Sequence, residues 1–282
     1  MKQPSIANNL ITFTSDFGWG WGYVAACEGT ILRINAQARI CHLSHEVPGG
    51  DVAAGALVLK RIAPLYPPAV HLAVVDPGVG TARRPLVVLT ERGDALVGPD
   101  NGLLVQAAEA MGGIREAWLL NPIQVREAAG LPSDQVSMTF HGRDVFAPAA
   151  ALLAKRVKAN ILGTPIDPAG LIRLAPPYAM VEDHAVTAEV IEVDRFGNVA
   201  LAIKFAELDP REHFYQVETL GEGLPVWTAR TVTTFAELGS GELGLFCDSW
   251  GQVALALKSA SAAELLSLER GMRVRLTPVP VE

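Results

Sequence analysis

Cysteine, charge and long apolar runs are all scarce in this sequence. Its three cysteines, Cys27, Cys41 and Cys247, are too few and too scattered for a disulfide framework, and no Cys-x-x-Cys pair offers a zinc or redox site. No apolar run reaches the roughly 18 residues that suggest a transmembrane helix, so none is expected. The first residues also lack the basic segment and apolar run of a signal peptide, which predicts a cytoplasmic protein.

Basic residues are outnumbered as well. With 23 Lys and Arg against 30 Asp and Glu, the formal net charge is −7. Binding to nucleic acid or to an anionic membrane needs clustered Lys and Arg, so neither partner is expected. The glycine-rich run 18–22 is followed by Tyr23 where a dinucleotide-binding loop needs its third glycine, and a phosphate-binding loop motif is missing. These absences argue against a nicotinamide enzyme and against a P-loop NTPase.

Apolar residues, in contrast, are abundant. The 282 residues are 50% hydrophobic, which suits two domains or one large domain with a sizeable core. The mean hydropathy of +0.26 has two interpretations. Either the core is rich in Ala and Leu, or part of the apolar surface is covered by another subunit.

Strands and helices alternate in the first part of the chain. Apolar patterns predict strands at 10–14, 40–43, 70–75, 85–90 and 95–97, and helices at 23–34, 52–62, 103–111 and 145–153. This alternation predicts an α/β fold with a mostly parallel sheet covered by helices on both faces. Polar residues directly follow three of the strands, at 15–16, 76–77 and 99–101, where such sheets bind ligands.

After residue 153 the pattern changes. A Pro- and Gly-rich stretch predicts a linker, 173–179, between an N-terminal domain, 1–172, and a C-terminal domain, 180–282. Beyond it, strand-like segments occur at 184–193, 216–219, 225–229, 243–246, 252–257 and 272–276, and a helical pattern at 261–268. Regular short strands of this kind favour a small antiparallel β-barrel or sandwich.

Two histidines and an aspartate have the character of metal ligands. His42 and His45 are spaced like a ligand pair at the end of a strand, but no third ligand is near, which favours a structural role. Asp144 could join a metal cluster with Asp76. The preferred alternative is that Asp144 forms an ion pair with Arg143 at the start of a helix.

The segment 76–83 carries more chemistry. Asp76 follows a strand, a Gly-rich turn can bring Arg83 back to it across a pocket, and His141 is the best third partner. A carboxylate, a guanidinium and an imidazole together can hold a water, lower its pKa and accept its proton. The alternative is a loop salt bridge beside a polar core histidine, and the spacing alone favours that alternative.

Two turn-like segments in the second part are ambiguous. In 194–198, Asp194 and Asn198 flank Phe196, which suits a β-turn but also a ring that stacks on a base while its neighbours read the amino edge. The segment 247–251 is either a hairpin turn or a set of small donors for a carboxylate.

Six of these segments, taken together, resemble one family. They are, in order, TSDFG (14–18), VDPGVG (75–80), GPDNG (98–102), FHGRD (140–144), DRFGN (194–198) and SWG (249–251). The ordered set resembles the S-adenosyl-L-methionine (SAM) hydroxide adenosyltransferases, or SAM hydrolases, which are relatives of the fluorinase and chlorinase. The similarity extends over residues 10–279.

The resemblance implies an N-terminal α/β domain, a C-terminal β-barrel-like domain and a homotrimer with its active sites at the subunit interfaces. It implies that SAM and water give adenosine and L-methionine without a metal or other cofactor. By position, Asp76, Arg83 and His141 match the family's catalytic triad. The residues expected at the substrate are Asp16 at the ribose, Phe140 near the nucleoside, Phe196 and Asn198 at the adenine, and Asp194, Ser249 and Trp250 at the methionine moiety.

Two positions depart from the family's pattern. Asp248 stands where the family commonly has Asn, and Gly-Gly at 49–50 stands where relatives often place a bulky residue against the ribose. A full Asp–Arg–His set favours water over halide as the nucleophile, because a halogenase needs a dry halide pocket with no base. Which of Asp76 and His141 accepts the proton stays open. The alternatives are a 5′-halogenase, a SAM or adenosine sensor without turnover, and a metal-dependent hydrolase.

Overall fold

The computed structural model describes residues 9–182, 185–209, 212–220 and 225–279. By its internal contacts the chain divides into two compact units, Met1–Leu174 and Ala175–Glu282. Each unit has hydrophobic core clusters of its own. Within the described ranges, no helix combines the length and the apolar character needed to cross a membrane.

A mixed seven-stranded sheet forms the centre of the N-terminal unit. Its strands are β1 (Leu10–Ser15), β2 (Arg39–Ser44), β3 (Val70–Val74), β4 (Pro85–Thr90), β5 (Ala95–Pro99), β6 (Ile114–Leu120) and β7 (Gly163–Ile166). They lie in the order β2-β1-β3-β5-β4-β6-β7. The first four in this order are parallel, whereas β4, β6 and β7 pair antiparallel. Residues 91–94 connect β4 to β5. Because this connection is so short, β5 runs back directly beside β4, and the two strands pair antiparallel.

Helices cover both faces of this sheet, which confirms the predicted α/β architecture. They are α1 (Tyr23–Ile34), α2 (Val52–Ile62), α3 (Val105–Ala110), α4 (Pro122–Ala128) and α5 (Ala147–Ala154). One core cluster contains residues of α1 and α5 with Val97, and another contains residues of α2 and α3 with Leu96. Because neighbouring side chains of a strand point to opposite faces, these two residues of β5 serve the two cores.

A buried polar network crosses the same sheet. The carboxylate of Asp94 accepts from Nε2 of His71 at 3.1 Å and from Nε of Arg92 at 2.8 Å. Nδ1 of His71 then lies 2.7 Å from Oγ1 of Thr12. Burial alone would raise the pKa of Asp94, but the hydrogen bonds from His71 and Arg92 outweigh it and hold that pKa well below its usual range.

Asp94→Ala is expected to lower the free energy of unfolding by about 3–5 kcal/mol, because it leaves a buried histidine and an arginine without their shared partner. Urea unfolding followed by fluorescence measures this loss. Glu109→Ala is the matched control, since Glu109 pairs with Arg173 where both side chains are about half exposed. Removal of that exposed pair should cost less than about 1 kcal/mol. Equal losses in the two variants would contradict the prediction.

The C-terminal unit is a closed β-barrel. Its strands are β8 (Ala179–Glu182), β9 (Ala185–Val193), β10 (Val199–Lys204), β11 (Phe214–Thr219), β12 (Val226–Thr231), β13 (Leu243–Cys247), β14 (Gln252–Leu257) and β15 (Arg273–Pro278). Seven of them follow the order β10-β14-β13-β12-β11-β15-β9, and β9 pairs with β10 to close the ring. Among the described strands of this unit, β12 and β13 alone pair in parallel. The predicted antiparallel barrel-like domain is therefore confirmed.

The barrel interior is filled by alternate residues of its strands. In β11 the exposure alternates residue by residue, and Tyr215, Val217 and Thr219 are the buried members. A short helix, α6 (Ala262–Leu266), contributes Ala262 and Leu266 to the same core. The ring closes because β9 pairs with β15 on one side and with β10 on the other.

Candidate active site

The loop between β3 and β4 reverses the chain sharply. Backbone turns within residues 76–81 fold it back on itself. Gly80 has φ +77°, and a Cβ at this position would clash with the carbonyl oxygen of Met138. A larger residue therefore has neither the conformation nor the space. As a result, the loop returns Arg83 to Asp76.

Arg83, Asp76 and His141 form one hydrogen-bonded cluster. Nε of Arg83 donates to Oδ1 of Asp76 at 3.0 Å, and Nη2 donates to Oδ2 of the same carboxylate. Nη2 also lies 3.0 Å from Nδ1 of His141. Only 7% of the Arg83 side chain and 6% of the Asp76 side chain are exposed. The structure thus brings together the three residues that the sequence groups as a catalytic set.

A π-helical turn, Gly142–Phe146, follows His141 directly and leads into α5. Such turns are rare in proteins overall, but many of those that occur lie at functional sites. Phe146 of this turn is fully buried, and its ring centroid lies 5.2 Å from Cζ of Arg83. The aromatic face therefore stabilises the guanidinium from a side that its hydrogen-bond partners do not occupy.

The guanidinium fixes the hydrogen-bond directions in the cluster. Because arginine only donates, Nδ1 of His141 accepts from Nη2, and the neutral ring carries its proton on Nε2. Burial lowers the pKa of His141 below 6.5, and Arg83 lowers it further. Burial raises the pKa of Asp76 above 3.8, against the attraction of Arg83. Nη1 of Arg83 is buried and has no hydrogen-bond partner within the described part of the chain.

A cavity of about 490 Å³ lies beside this cluster, and both Asp76 and His141 line it. Asp16, one residue beyond β1, lies in its wall, and Oδ2 of Asp16 accepts from the N–H of Gly50 at 2.8 Å. The volume is in the range of small-molecule sites. Phe140, the residue expected near the nucleoside, also lines the cavity.

Two aromatic neighbours of Phe140 were missed in the sequence. The rings of Phe17 and Tyr23 pack edge to face against Phe140, with centroids 5.7 and 5.2 Å away, and both line the cavity. Phe17 lies inside the motif TSDFG, and Tyr23 begins α1 directly after the glycine run. Their position beside Asp16 was the signal that could have revealed them.

The residues with the character of metal ligands, His42, His45 and Asp144, hydrogen-bond to other side chains. Asp144 accepts from Nε and Nη2 of Arg143, at 2.7 and 2.8 Å, which is the ion pair preferred in the sequence interpretation. His42 hydrogen-bonds to His45 and to Glu28. Across the ranges that the structure describes, no group of three or more His, Cys, Asp or Glu side chains is arranged to hold a metal ion.

The C-terminal unit contains the other residues expected at the substrate. Oδ1 of Asp194 accepts from the N–H groups of Phe196 and Asn198, and Oδ2 accepts from Nδ2 of Asn198 at 2.8 Å. This is a tight Asx turn, as the β-turn interpretation predicts, and the stacking of Phe196 on a base stays a prediction. Phe196 is 74% exposed and lines a cavity of about 730 Å³ with Asn198. Asp194, Ser249 and Trp250 line a second cavity, of about 470 Å³.

Comparison with known proteins identifies the family. The model of the SAM hydroxide adenosyltransferase N-terminal domain matches residues 11–163, and that of the C-terminal domain matches residues 188–275. The chain belongs to this family. The two matches fall one on each compact unit, so the whole fold is that of a SAM hydroxide adenosyltransferase.

Individual relatives agree with this assignment. The (R)-S-adenosyl-L-methionine hydrolase of Salinispora tropica is 45% identical over 95% of this chain and 97% of its own length, and that of Thermus thermophilus is 39% identical over 94% and 98%. A fluorinase from an Actinoplanes species is 28% identical over 98% of this chain and 99% of its own. Among solved structures, an uncharacterized conserved protein from Thermotoga maritima matches with a TM-score of 0.84 at 32% identity, covering 95% of this chain and 99% of its own.

Both departures from the expected pattern of the SAM hydroxide adenosyltransferases have structural roles here. Oδ1 of Asp248 accepts from the N–H groups of Trp250 and Gln252, each at 2.8 Å, and so shapes the turn that carries Ser249. Gly50 has φ +74° and donates its N–H to Asp16. A glycine here lets the backbone itself contact the aspartate expected at the ribose.

Proposed function

We propose that this protein hydrolyses S-adenosyl-L-methionine to adenosine and L-methionine by in-line attack of an activated water at C5′. The observation that carries the proposal is the buried Asp76–Arg83–His141 cluster at the edge of a substrate-sized cavity, with one guanidinium N–H left without a partner in the described residues. Relatives named as SAM hydrolases support it, at 39–45% identity over nearly the whole chain.

The chemistry of the sulfonium explains why so few groups suffice. The leaving group is a neutral thioether, so no acid is needed to expel methionine. The water oxygen forms a bond to C5′, the C5′–S bond breaks with its electron pair remaining on sulfur, and the water gives up one proton. The protein has only to place the nucleophile in line, remove its water shell and favour its hydroxide form. A desolvated guanidinium such as Arg83 favours the negative charge on that oxygen.

Asp76 is the proposed proton acceptor. His141 has its only unprotonated nitrogen, Nδ1, already engaged by Nη2 of Arg83. Asp76, in contrast, keeps oxygen lone pairs beyond those used by Arg83, and the rise in its pKa makes it a better base than an ordinary aspartate. His141 then holds the guanidinium in place and offers Nε2–H toward the cavity.

The binding roles follow the positions of the remaining residues. We assign Asp16 to the ribose hydroxyls and Phe140 to the nucleoside, because both line the cavity beside the triad. We assign Phe196 and Asn198 to the adenine, since the exposed ring offers a flat stacking surface. The methionine moiety falls to Asp194, Ser249 and Trp250, which share the second cavity of the C-terminal unit.

The decisive test is mass spectrometry of the products formed from SAM in oxygen-18 water, with and without chloride or fluoride. We expect equal amounts of methionine and of adenosine labelled at its 5′-hydroxyl. Because the names of the relatives specify the (R) epimer, the two sulfur epimers are assayed separately, and we expect the (R) epimer to react faster. A 5′-halo-5′-deoxyadenosine would instead indicate a halogenase. SAM that is bound but intact after hours would indicate a sensor.

The pH profile of kcat/KM is expected to fall on the acid side and to stay level above that fall. Catalysis needs Asp76 ionised and His141 neutral, and both states are lost as pH falls through the respective pKa. Burial raises the pKa of Asp76 from 3.8, which moves its protonation toward neutral pH, whereas burial and Arg83 lower the pKa of His141 from 6.5, which moves its protonation toward acid pH. Measurement of kcat/KM between acid and neutral pH tests this. A rate that rises as the pH falls from neutral would contradict it.

We also propose a homotrimer with active sites at the subunit interfaces and no need for a metal or other cofactor. The proposed substrate contacts are divided between the two units, and membership in the SAM hydroxide adenosyltransferase family supports a site to which two copies contribute. Sedimentation combined with activity assays should find a monomer inactive, and an active monomer would overturn the proposal. Activity should persist in chelator. The cytoplasmic location expected from the sequence stays a prediction.

A further inference from the structure

A continuous hydrogen-bond chain runs from α1 to the end of β1 and is not used by the proposed reaction. Oε1 of Glu28 lies 2.9 Å from Nε2 of His42, and Nδ1 of His42 lies 2.6 Å from Nε2 of His45. Nδ1 of His45 then lies 2.7 Å from Oγ of Ser15. The chain begins at half-buried Glu28 and ends at a hydroxyl that is fully buried.

The carboxylate at the outer end fixes the direction of every bond in the chain. An ionised Glu28 only accepts, so His42 carries its proton on Nε2 and accepts at Nδ1. His45 must therefore carry its proton on Nε2 and accept at Nδ1 from the hydroxyl of Ser15. Burial and the neighbouring His42 lower the pKa of His45 to about 4, which agrees with a neutral ring at physiological pH.

The inner end of the chain holds the loop that carries Asp16. Oγ of Ser15 accepts from the N–H of Phe17 at 3.3 Å, and the carbonyl oxygen of His45 accepts from the N–H of Gly18 at 2.8 Å. The loop is thus attached on both sides of Asp16, once through the ring of His45 and once through its backbone. Since the hydroxyl proton points to His45, the oxygen lone pairs of Ser15 are free to accept from the loop.

We propose that Glu28, His42 and His45 are positioning residues that orient Ser15 and, through it, hold Asp16 ready to bind the ribose of the substrate; this inference rests on the proposed function of the site. The chain touches neither the triad nor the reacting atoms. Its loss should therefore weaken substrate binding much more than it slows the chemical step.

The test is a double-mutant cycle on Ser15→Ala and His42→Phe, with KM and kcat measured for SAM and the Kd of adenosine measured by calorimetry. Each single variant should raise KM and the Kd about fivefold to tenfold, the size expected for one lost hydrogen bond. The kcat should change less than about threefold. The double variant should be no worse than Ser15→Ala alone, because His42 acts through Ser15.

Two further comparisons separate positioning from general destabilisation. Glu28→Leu removes the acceptor and should raise KM, whereas Glu28→Gln keeps an acceptor oxygen for His42 and should restore most of the affinity. His213→Phe repeats the histidine substitution at an exposed position in the C-terminal unit and should leave KM unchanged. Melting temperatures are recorded for all variants.

The outcomes distinguish this inference from the proposed function. Unchanged KM and Kd in Ser15→Ala, additive effects in the double variant, or a fall in kcat alone would each overturn the positioning role. If the wild-type protein leaves SAM intact but the variants still bind adenosine more weakly, the proposed function fails and the positioning role holds. If the wild-type protein neither hydrolyses SAM nor binds adenosine, both fail.

Discussion

Arg83→Ala is expected to lower kcat for SAM hydrolysis by about a thousandfold, the cost of removing a main electrostatic stabiliser of the developing charge. The guanidinium hydrogen-bonds to the carboxylate of Asp76 and to Nδ1 of His141, and in the proposed reaction its charge also attracts the attacking oxygen. Its removal separates the carboxylate from the histidine and lets water fill the space. The measurement is single-turnover formation of adenosine, which reports the chemical step without product release.

A neighbouring arginine provides the control for this prediction. Arg84 donates to Asp100 at 2.7 Å, and 39% of its side chain is exposed. Arg84→Ala removes the same chemical group one residue along the chain, and kcat should stay within about twofold, since the guanidinium of Arg84 donates to Asp100 and to the carbonyl oxygen of Gly170 rather than to any residue of the triad. Because the Asp100 carboxylate is buried, this variant also controls for the loss of stability that an unpaired buried charge causes. Equal losses in Arg83→Ala and Arg84→Ala would indicate damage to the loop rather than loss of a catalytic group.

Stability must be followed alongside activity in this pair of variants. Arg83→Ala leaves the buried carboxylate of Asp76 without its cation, which typically costs about 3–5 kcal/mol. Arg83→Lys keeps a positive charge but loses the two-pronged geometry. We expect Arg83→Lys to recover most of the melting temperature and little of the kcat. Recovery of full activity in Arg83→Lys would show that charge alone is needed.

Much of the fold could be predicted because local signals mark its elements. The helix predicted at 52–62 is α2 to the residue, since Asp51 caps it by accepting from the N–H of Ala54 at 2.9 Å. The strand predicted at 85–90 is β4 to the residue, with Pro85 at its start. Elements that depend on distant partners were missed. For example, β7 has only four residues and a proline, and it exists because β6 lies beside it.

The candidate site shows the same division between local and tertiary information. The order of the motifs was enough to group Asp76, Arg83 and His141, which lie up to 65 residues apart in the chain yet hydrogen-bond to one another. Spacing could not reveal which nitrogen of His141 faces the arginine. Nor could it reveal that His42 and His45 hydrogen-bond directly, since the same spacing also suits a metal pair.

The second large effect on kcat is expected from a variant of the proposed base, Asp76. Asp76→Asn is expected to lower kcat by about a thousandfold, since loss of a general base costs about two to four powers of ten. Asparagine keeps the shape and one acceptor oxygen for Arg83, so binding of SAM should change little. Rates measured in single turnover, together with KM for SAM, test this expectation.

His141→Gln is the comparison that decides between the two candidate bases. If His141 only holds the guanidinium, a glutamine amide oxygen can accept from Nη2 in its place, and kcat should fall by about tenfold. Should His141 instead take the proton, glutamine would be as damaging as asparagine at Asp76. The pH profile gives an independent measure. Protonation of Asp76 should still produce an acid limb in His141→Gln, whereas the residual activity of Asp76→Asn should respond only to protonation of His141. Since Asp76 alone combines a raised pKa with lone pairs that Arg83 does not use, we expect the larger loss of kcat in Asp76→Asn.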